Sequence, residues 1–480
     1  MDAIESLPFI RSELFLIGAF FVISCLDFFV KNKSWLGWLS FVLLVAAFLL
    51  SPDFYPDEGL FFNYYVWDSF TFFFKVVVYL TVGLTLLASL TYRNIPEKVR
   101  GEYYALLLVM VPLLTFMGGV TNLLMVFLVI ESVSLTSYLL TGFQKFDKLS
   151  SEASLKYLLF GSVSSAIMLF GMSLLFGATG TVELEKIGAS ISQLQSAEFS
   201  SLVLVGMILV LVGIGFKISM VPFHLWAPDV YQGAPTPIAG FLTVAPKALG
   251  FAVLIRVLVL AFPALTGQWL KLLTVLSILT MTAGNLIAIS QSNVKRLIAY
   301  SSIAQAGYIL VGIATASELG FQAALIYILA YLFTNLGAFF TVLAIEYNTG
   351  SSELEAYNGL SLRSPLLALA LAIFLLSLAG IPPLVGFIAK VYIFSAAIKI
   401  NSAVLAVAIA LNSALAAYYY FKVVKAMYLT PASIPYGKFQ NPLSIKIAVC
   451  AALICTVAIG IWPMQMIRLA EQSLTALPLF

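Results

Sequence analysis

Histidine, cysteine and charged residues are scarce in this chain of 480 residues. A bis-histidine haem needs two histidines, but His224 is the only one, and the three cysteines are too few for an iron–sulfur cluster. Cys25, Cys450 and Cys455 lie inside apolar runs without metal-type spacing, which favours buried thiols over a disulfide framework. These absences exclude a bis-histidine haem and an iron–sulfur cluster.

Nucleotide-binding and nucleic-acid-binding patterns are also missing. The chain has no G-x-x-x-x-G-K-[ST] loop, and Gly213-x-Gly215 lies within an apolar run, where it favours close helix packing. The net charge of +3 comes without a long basic run that could follow a phosphate backbone. We therefore expect this chain to hold neither a redox cofactor nor a nucleotide.

Hydrophobic residues make up 61% of the chain and charged residues 10%, against roughly 45–50% and about 25% in soluble domains. Runs of about 20 apolar residues can cross a hydrocarbon core of roughly 30 Å. The predicted fold is an all-α polytopic membrane protein with about 14 transmembrane helices. The spans cover approximately residues 8–30, 35–51, 64–91, 102–118, 121–142, 153–177, 200–221, 235–262, 268–290, 296–316, 321–347, 364–398, 402–429 and 442–467.

The basic residues between spans predict the orientation. With both termini on the outer side, the cytoplasmic loops receive Lys31, Lys33, Arg93, Lys98, Arg100, Lys145, Lys148, Lys295, Arg296, Arg363, Lys422, Lys425, Lys438 and Lys446. The outer side receives only Arg11, Lys186, Lys271, Lys399 and Arg468. An excess of Lys and Arg on the cytoplasmic side is the usual arrangement. We expect no removable signal peptide, and no soluble tail or long surface helix after the last span.

Three lysines lie deep within predicted spans, each with a proline close by: Lys217 before Pro222, Lys247 after Pro246, and Lys390 after Pro382-Pro383. A charged residue near mid-membrane is costly and usually marks an ion or proton pathway. Proline breaks a helix and frees carbonyl groups, which can solvate a cation where the backbone lines a cavity. The pattern predicts three broken helices beside a hydrated seam. Structural ion pairs and packing kinks are the alternative.

Glu131 is the one carboxylate that we place near mid-membrane, and Ser134 shares its helical face. Either Glu131 is a neutral acid tied to a neighbouring helix, or its charge tunes the proton affinity of a lysine. Lys156 is the second candidate for tuning Lys217, unless it extends to the cytoplasmic interface. His224 is a candidate proton relay, unless it only caps a broken helix. Lys75 is predicted to pair with Asp68 or to meet another subunit, and Arg256 to lie near the outer end of its helix, so neither is a predicted site residue.

Two long motifs resemble those of a known family. Phe216-Lys-Ile-Ser-Met-Val-Pro-Phe-His-Leu-Trp-Ala-Pro-Asp-Val-Tyr-Gln-Gly-Ala-Pro-Thr-Pro237 and Val294-Lys-Arg-Leu-Ile-Ala-Tyr-Ser-Ser-Ile-Ala-Gln-Ala-Gly-Tyr308 resemble the antiporter-like subunits of proton-pumping NADH:quinone oxidoreductase, respiratory complex I. The sequence Pro228-Asp-Val-Tyr-Gln-Gly-Ala-Pro235 is most similar to that of the N-type subunits, the bacterial counterparts of mitochondrial subunit 2. The family also has M-type and L-type subunits. M-type subunits typically have glutamate at the position of Lys390, and L-type subunits have a long C-terminal surface helix, which is not expected here.

The resemblance implies two inverted five-helix repeats, helices 4–8 and 9–13, with helices 7 and 12 broken. The expected divisions are an N-terminal three-helix segment (1–101), the first repeat (102–262), the second repeat (263–430) and a C-terminal helix (431–480). By position, the implied site residues are Glu131, Lys156, Lys217, Lys247 and Lys390; His224 is added from its chemistry. Pro246 is a departure from the family, in which a small or hydroxyl residue is expected before the lysine of helix 8. The tenth span also has no carboxylate that corresponds to Glu131.

The expected function is proton translocation in a bacterial inner membrane, along a path from Lys217 through His224 to Lys247 and Lys390. One charge moved against 150 mV costs about 3.5 kcal/mol, so the energy has to come from elsewhere. The resemblance places NADH, FMN, iron–sulfur clusters and quinone in partner subunits, with homologous antiporter-like subunits as neighbours. The alternatives are a subunit of a multi-subunit cation/proton antiporter or membrane-bound hydrogenase, and a non-conducting membrane scaffold.

Overall fold

Helices form almost all of the protein. The computed structural model describes residues 1–52, 55, 59–193, 197–432 and 439–478, so Lys438 lies outside the described residues. Within these ranges, β-structure is limited to isolated bridges. The predicted all-α fold is confirmed.

The membrane helices follow the predicted spans closely. Eleven helices are long and apolar enough to cross a membrane, and three shorter apolar helices supply the remaining spans in the described part of the chain. With the second segments of helices 7 and 12, the sixteen membrane elements of the described chain are α1 (Arg11–Phe29), α2 (Ser34–Leu49), α3 (Ser69–Ser89), α4 (Arg100–Gly118), α5 (Leu123–Thr141), α6 (Lys148–Thr179), α7a (Ala197–Lys217), α7b (Ala227–Gly233), α8 (Thr236–Arg256), α9 (Thr266–Ile289), α10 (Val294–Ala314), α11 (Glu318–Thr349), α12a (Pro365–Ala379), α12b (Val385–Lys399), α13 (Ala403–Leu429) and α14 (Leu443–Ile461).

Three helices form the centre of the bundle. The most apolar windows of α8 and α11 are wholly buried and that of α10 is 94% buried, whereas α6, α9 and α14 leave more than half of theirs uncovered. An uncovered apolar surface suits contact with lipid or neighbouring subunits. The polar groups carried by α8 and α10 are therefore enclosed by protein.

Two helices are broken where the sequence predicted it. Helix α7a ends at Lys217, and α7b begins only at Ala227, while α12a ends at Ala379 and α12b begins at Val385. The third predicted break is wrong, because α8 runs without interruption through Pro246. A membrane helix can absorb a proline when its neighbours re-satisfy the freed backbone groups.

The two halves share local features that support a repeated architecture. Asn122 and Asn293 cap α5 and α10 through their side chains, and each forms an antiparallel bridge to the loop after the next helix, at Glu183 and Glu353 respectively. Helices α6 and α11 both contain 32 residues and both end at a glycine in the left-handed region. Equivalent caps on equivalent helices favour the predicted pairing of α5 with α10 and α6 with α11.

Two short helices follow membrane spans and were not predicted. Leu184–Gln193 follows α6, and Met464–Leu474 follows α14, and both carry apolar residues on one side only. The last predicted span, 442–467, is therefore too long, since α14 ends at Ile461 and Pro463 precedes a separate helix. One-sided patterns of this kind are typical of helices lying along a membrane surface.

Candidate functional site

Lys217 ends the first half of the broken helix 7. Its side chain is 1% exposed, and its Nζ donates a hydrogen bond to Ser134 Oγ on α5 at 3.0 Å. The carbonyl end of a helix carries partial negative charge, which favours a cation there. The sequence folds this way because Pro222 cannot continue α7a. Lys217 is thus held by a hydroxyl and by the end of its own helix.

Glu131 lies one helical turn from Ser134 on the same face of α5, about 4.5 Å along the axis. It is partly buried, and its Oε2 is enclosed without a hydrogen-bond partner among the described residues. Its charge acts on Lys217, although no direct ion pair joins the two in the described part of the chain. The structure therefore bonds Lys217 to a hydroxyl that lies one turn along α5 from Glu131.

His224 lies in the irregular segment between α7a and α7b. It is 7% exposed, and its buried Nδ1 has no hydrogen-bond partner within the described ranges. Its electrostatic neighbour is Lys247. An imidazole with an open nitrogen in the electrostatic range of a buried lysine has the chemistry of a proton relay.

Lys247 lies at the centre of α8 and is 3% exposed. Its Nζ donates to Ser302 Oγ at 2.9 Å and to the Ser302 carbonyl oxygen at 3.1 Å, both on α10. The ring of Tyr231 on α7b lies 5.4 Å from the same nitrogen. A cation over an aromatic face is stabilised by the ring quadrupole. Lys247 is thus satisfied without a carboxylate contact.

Lys390 lies on α12b and is 8% exposed. Its Nζ donates to the carbonyl oxygen of Ala379, the last residue of α12a, at 2.8 Å, and lies 4.7 Å from the ring of Tyr308. That carbonyl is one of the groups that a helix end leaves without an internal partner. A Cβ at Gly380, whose φ is +89°, would lie 2.6 Å from Lys390 Cδ. Glycine therefore permits both the turn and the close approach of the lysine.

A polar cluster on α10 connects the surroundings of Lys247 and Lys390. Gln305, one turn from Ser302, donates to the carbonyl oxygen of Leu378 at 3.3 Å and to Tyr420 Oη at 3.1 Å. Its Oε1 accepts a hydrogen bond from Tyr327. The ring of Tyr327 stacks on that of Tyr308, beside Lys390, with centroids 6.0 Å apart. Hydroxyl and amide groups therefore occupy the space between the two lysines.

Helix α10 carries a serine at the position that corresponds to Glu131 on α5. Ser302 and Glu131 lie at the same distance along the chain from Asn293 and Asn122, the caps of α10 and α5. Ser302 thus stands at the position of Glu131 in the other half. Lys247 contacts a neutral hydroxyl at this position, whereas Lys217 lies near a carboxylate.

Close packing of α7a against α8 links the first two lysines. A Cβ at Gly250, one turn after Lys247, would lie 2.6 Å from Ile218 Cγ2 and 3.5 Å from Lys217 Cγ. Any side chain at residue 250 would therefore push the break residues away from α8.

We expect Gly250→Val to displace Lys217 and to reduce proton translocation, at an overpacking cost of about 1–3 kcal/mol. The matched control is Gly267→Val, because a Cβ at Gly267 meets nothing within 4 Å. The measurement is the rate at which the assembled complex acidifies vesicles that contain equal amounts of each variant. Equal rates for both variants would contradict the packing argument.

Lys156 lies apart from the buried lysines. Its Nζ is 2.7 Å from Glu152 on its own helix and 2.7 Å from Asp229 on α7b, with 38% of its side chain exposed. Arg296 on α10 contacts the other oxygen of Asp229 at 2.8 Å. The described contacts of Lys156 thus include neither Glu131 nor Lys217.

Two further buried cations are explained by ion pairs that the sequence did not indicate. Lys75 lies 2.8 Å from Glu13 on α1, so its suggested pairing with Asp68 is wrong. Asp68 instead accepts two hydrogen bonds from Arg256, at 2.7 and 2.8 Å. Arg256 also donates to the carbonyl oxygen of Gly118, at the end of α4. Glu13 lies in the first turn of α1 and is 1% exposed.

Sequence reasoning missed Ser302, Gln305, Tyr308 and Tyr327 as neighbours of the lysines. The first three lie in the α10 motif that carried the family resemblance, and their serine, glutamine and tyrosine side chains are polar groups on a span whose window is 94% buried. Polar residues within a predicted membrane span were the signal that the sequence offered.

No group of three or more His, Cys, Asp or Glu side chains in the described ranges is arranged to hold a metal ion. The fold and the site define a class of membrane protein in which buried lysines, broken-helix ends and hydroxyl groups lie inside the helix bundle. Buried lysines beside broken helices are typical of ion and proton pathways.

The comparisons with known proteins agree with this class. The profile of the family described as NADH:quinone oxidoreductase/Mrp antiporter, TM, matches residues 120–416. The chain belongs to this family. The resemblance that the two motifs indicated is thereby confirmed.

Individual relatives cover nearly the whole chain. NADH-quinone oxidoreductase subunit N of Trichlorobacter lovleyi is 39% identical over 445 residues, which is 92% of this chain and 91% of that protein. NAD(P)H-quinone oxidoreductase subunit 2 of Gloeobacter violaceus is 42% identical over 458 residues, covering 93% and 88%. A chain of respiratory complex I from Thermus thermophilus superposes with a TM-score of 0.80 at 30% identity, covering 96% of this chain and 99% of that one.

Proposed function

We propose that this chain is the N-type antiporter-like subunit of a proton-translocating NADH:quinone oxidoreductase. The observation that carries the proposal is the presence of three enclosed ammonium groups, Lys217, Lys247 and Lys390, each bonded to a hydroxyl or a backbone carbonyl. Such neutral partners stabilise a cation without fixing it permanently, which suits a group that has to gain and lose a proton. The subunit N and subunit 2 relatives support the assignment.

The proposed path begins at Lys217, whose proton affinity responds to the charge of Glu131 one turn from its hydroxyl partner. His224 passes the proton on towards Lys247 through its open Nδ1. From Lys247 the proton moves along the hydroxyl groups of α10 and α11 to Lys390. Water molecules complete the gaps between these groups.

The proposed setting is the inner membrane of a bacterium, with both termini on the outer side and residues 102–262 and 263–430 as two repeats. Proton uptake is then cytoplasmic, and release is on the outer side. In this proposal the chain has no redox cofactor of its own. NADH, FMN, iron–sulfur clusters and quinone belong to partner subunits, and neighbouring antiporter-like subunits share the membrane arm.

The test is isolation of the complex through an affinity tag on this chain in mild detergent, followed by reconstitution into liposomes. We expect co-purification of an NADH-oxidising, quinone-reducing module and NADH-driven acidification of the liposomes that does not require sodium. Recovery without such a module, together with sodium-dependent proton exchange, would instead assign the chain to a cation/proton antiporter. Normal proton pumping by assembled Lys217→Ala and Glu131→Ala complexes would assign it to a scaffold.

A further inference from the structure

Lys156 has a different environment from the three buried lysines. Its Nζ bridges Glu152 and Asp229, and Asp229 is held from the other side by Arg296. Helix α7b, which carries Asp229, packs against both α6 and α10. On the basis of the proposed function, we infer that Lys156 is a positioning residue that acts through Asp229 and α7b on Lys247, and does not carry a proton itself.

The residues from α7b to the start of α8, here called the linking segment (227–236), are held at several points from the second half of the chain. Arg296 donates to Gln232 Oε1 at 2.7 Å, and buried Lys295 donates to the carbonyl oxygen of Ala234 at 2.7 Å. Glu346 on α11 accepts a hydrogen bond from Thr236 Oγ1 at 2.5 Å. Lys156 on α6 is a charged group that holds the segment to the first half.

The linking segment reaches the site directly. Its Tyr231 places an aromatic ring 5.4 Å from Lys247 Nζ, and its last residue, Thr236, is the first residue of α8, on which Lys247 lies. The segment also follows the irregular stretch that contains His224. A shift of Asp229 relative to α6 would therefore change the surroundings of Lys247 without any contact between Lys156 and that lysine.

The geometry of Lys156 suits a fixed cation. Its side chain is 38% exposed, whereas Lys217, Lys247 and Lys390 are at most 8% exposed. Its partners are two carboxylates on different helices, whereas the buried lysines contact hydroxyl or carbonyl oxygens. A permanent charge is sufficient to bridge two carboxylates, so arginine should replace Lys156 in this role.

Substitutions in the assembled complex separate positioning from proton transfer. Arginine keeps the positive charge but does not release its proton in proteins. We expect Lys156→Arg to retain NADH-driven pumping, and Lys156→Gln and Asp229→Asn each to lower it about two- to fivefold, the effect of a partly exposed charge pair. Glu152→Gln, which removes only the partner on the same helix, should have no effect. Combining Lys156→Gln with Asp229→Asn should lower pumping no further than either change alone.

Hydrogen–deuterium exchange of the intact complex supplies a readout that does not depend on turnover. Exchange in residues 227–236 should increase in Lys156→Gln and Asp229→Asn and remain unchanged in Lys156→Arg and Glu152→Gln. Loss of pumping in Lys156→Arg with unchanged exchange in this segment would overturn the inference and make Lys156 a carrier. The proposed function fails separately, if Lys217→Arg pumps normally.

Discussion

Replacing Lys217 by alanine or by arginine is expected to lower proton translocation at least about tenfold in the assembled complex, since a positioned proton-transfer group contributes about 10²- to 10⁴-fold. Alanine removes the group that binds Ser134. Arginine keeps the charge but does not release a proton, so it should be equally inactive. The measurement is NADH-driven acidification of membrane vesicles, normalised to the amount of complex.

The control for this prediction is Lys271→Ala, because Lys271 is an exposed lysine near the start of α9. It should pump like the unmodified complex. Oxidation of NADH by a water-soluble acceptor checks that the partner subunits remain active in every variant. An assembled Lys217→Arg complex that pumps at the normal rate would show that Lys217 does not transfer protons.

The second large effect concerns the buried ion pair of the N-terminal helices. Lys75 and Glu13 are 0% and 1% exposed, and Lys75 also lies 4.7 Å from the ring of Trp67. Removing one partner of a buried pair leaves an uncompensated charge and typically costs about 3–5 kcal/mol. We therefore expect Lys75→Met to cause severe loss of folded chain, measured as the yield of assembled complex and its thermal unfolding temperature.

A double substitution tests the physical cause of this loss. The double variant Glu13→Gln with Lys75→Met leaves no unpaired charge at this site, so much of the stability should return. The control is Lys186→Met, which breaks an exposed ion pair with Glu183. The Lys186 side chain is 64% exposed, so this change should alter the free energy of unfolding by less than about 1 kcal/mol. If the double variant were as unstable as Lys75→Met alone, the loss would come from packing and not from the unpaired carboxylate.

The sequence predicted the helices well because membrane spans follow from local hydrophobicity, which needs no knowledge of tertiary contacts. The breaks before Ala227 and Val385 were predictable because proline acts on its own helix. Pro246 shows the limit of this reasoning. Helix α8 is wholly enclosed by other helices, and this tertiary environment keeps it continuous.

The site was predictable as a set of residues and not as a set of contacts. Buried lysines are conspicuous in an apolar sequence, so Lys217, Lys247 and Lys390 could be selected at once. Their partners, such as Ser302 and the carbonyl oxygen of Ala379, are ordinary groups brought close only by folding. For the same reason the sequence could not show that Asp229, distant along the chain, holds Lys156.

The pairing of Lys75 illustrates the same limit. Asp68 was the nearest carboxylate along the chain, two turns before Lys75, and local helix geometry made it a reasonable partner. The structure instead places Glu13 of α1 2.8 Å from Lys75 of α3, and Asp68 pairs with Arg256. Contacts between distant segments decide which of several possible ion pairs forms.

The most direct test of the proposed proton path through the buried lysines is the number of protons translocated per NADH oxidised. It is measured in liposomes that contain the Lys247→Gln complex. Glutamine can still accept or donate hydrogen bonds near Ser302, but it cannot bind and release a proton at physiological pH. Since Lys247 lies between His224 and Lys390 on the proposed path, we predict that this ratio falls below the value of the unmodified complex, or that turnover stops with it. A fully assembled variant with an unchanged ratio at an unchanged rate of NADH oxidation would contradict the account.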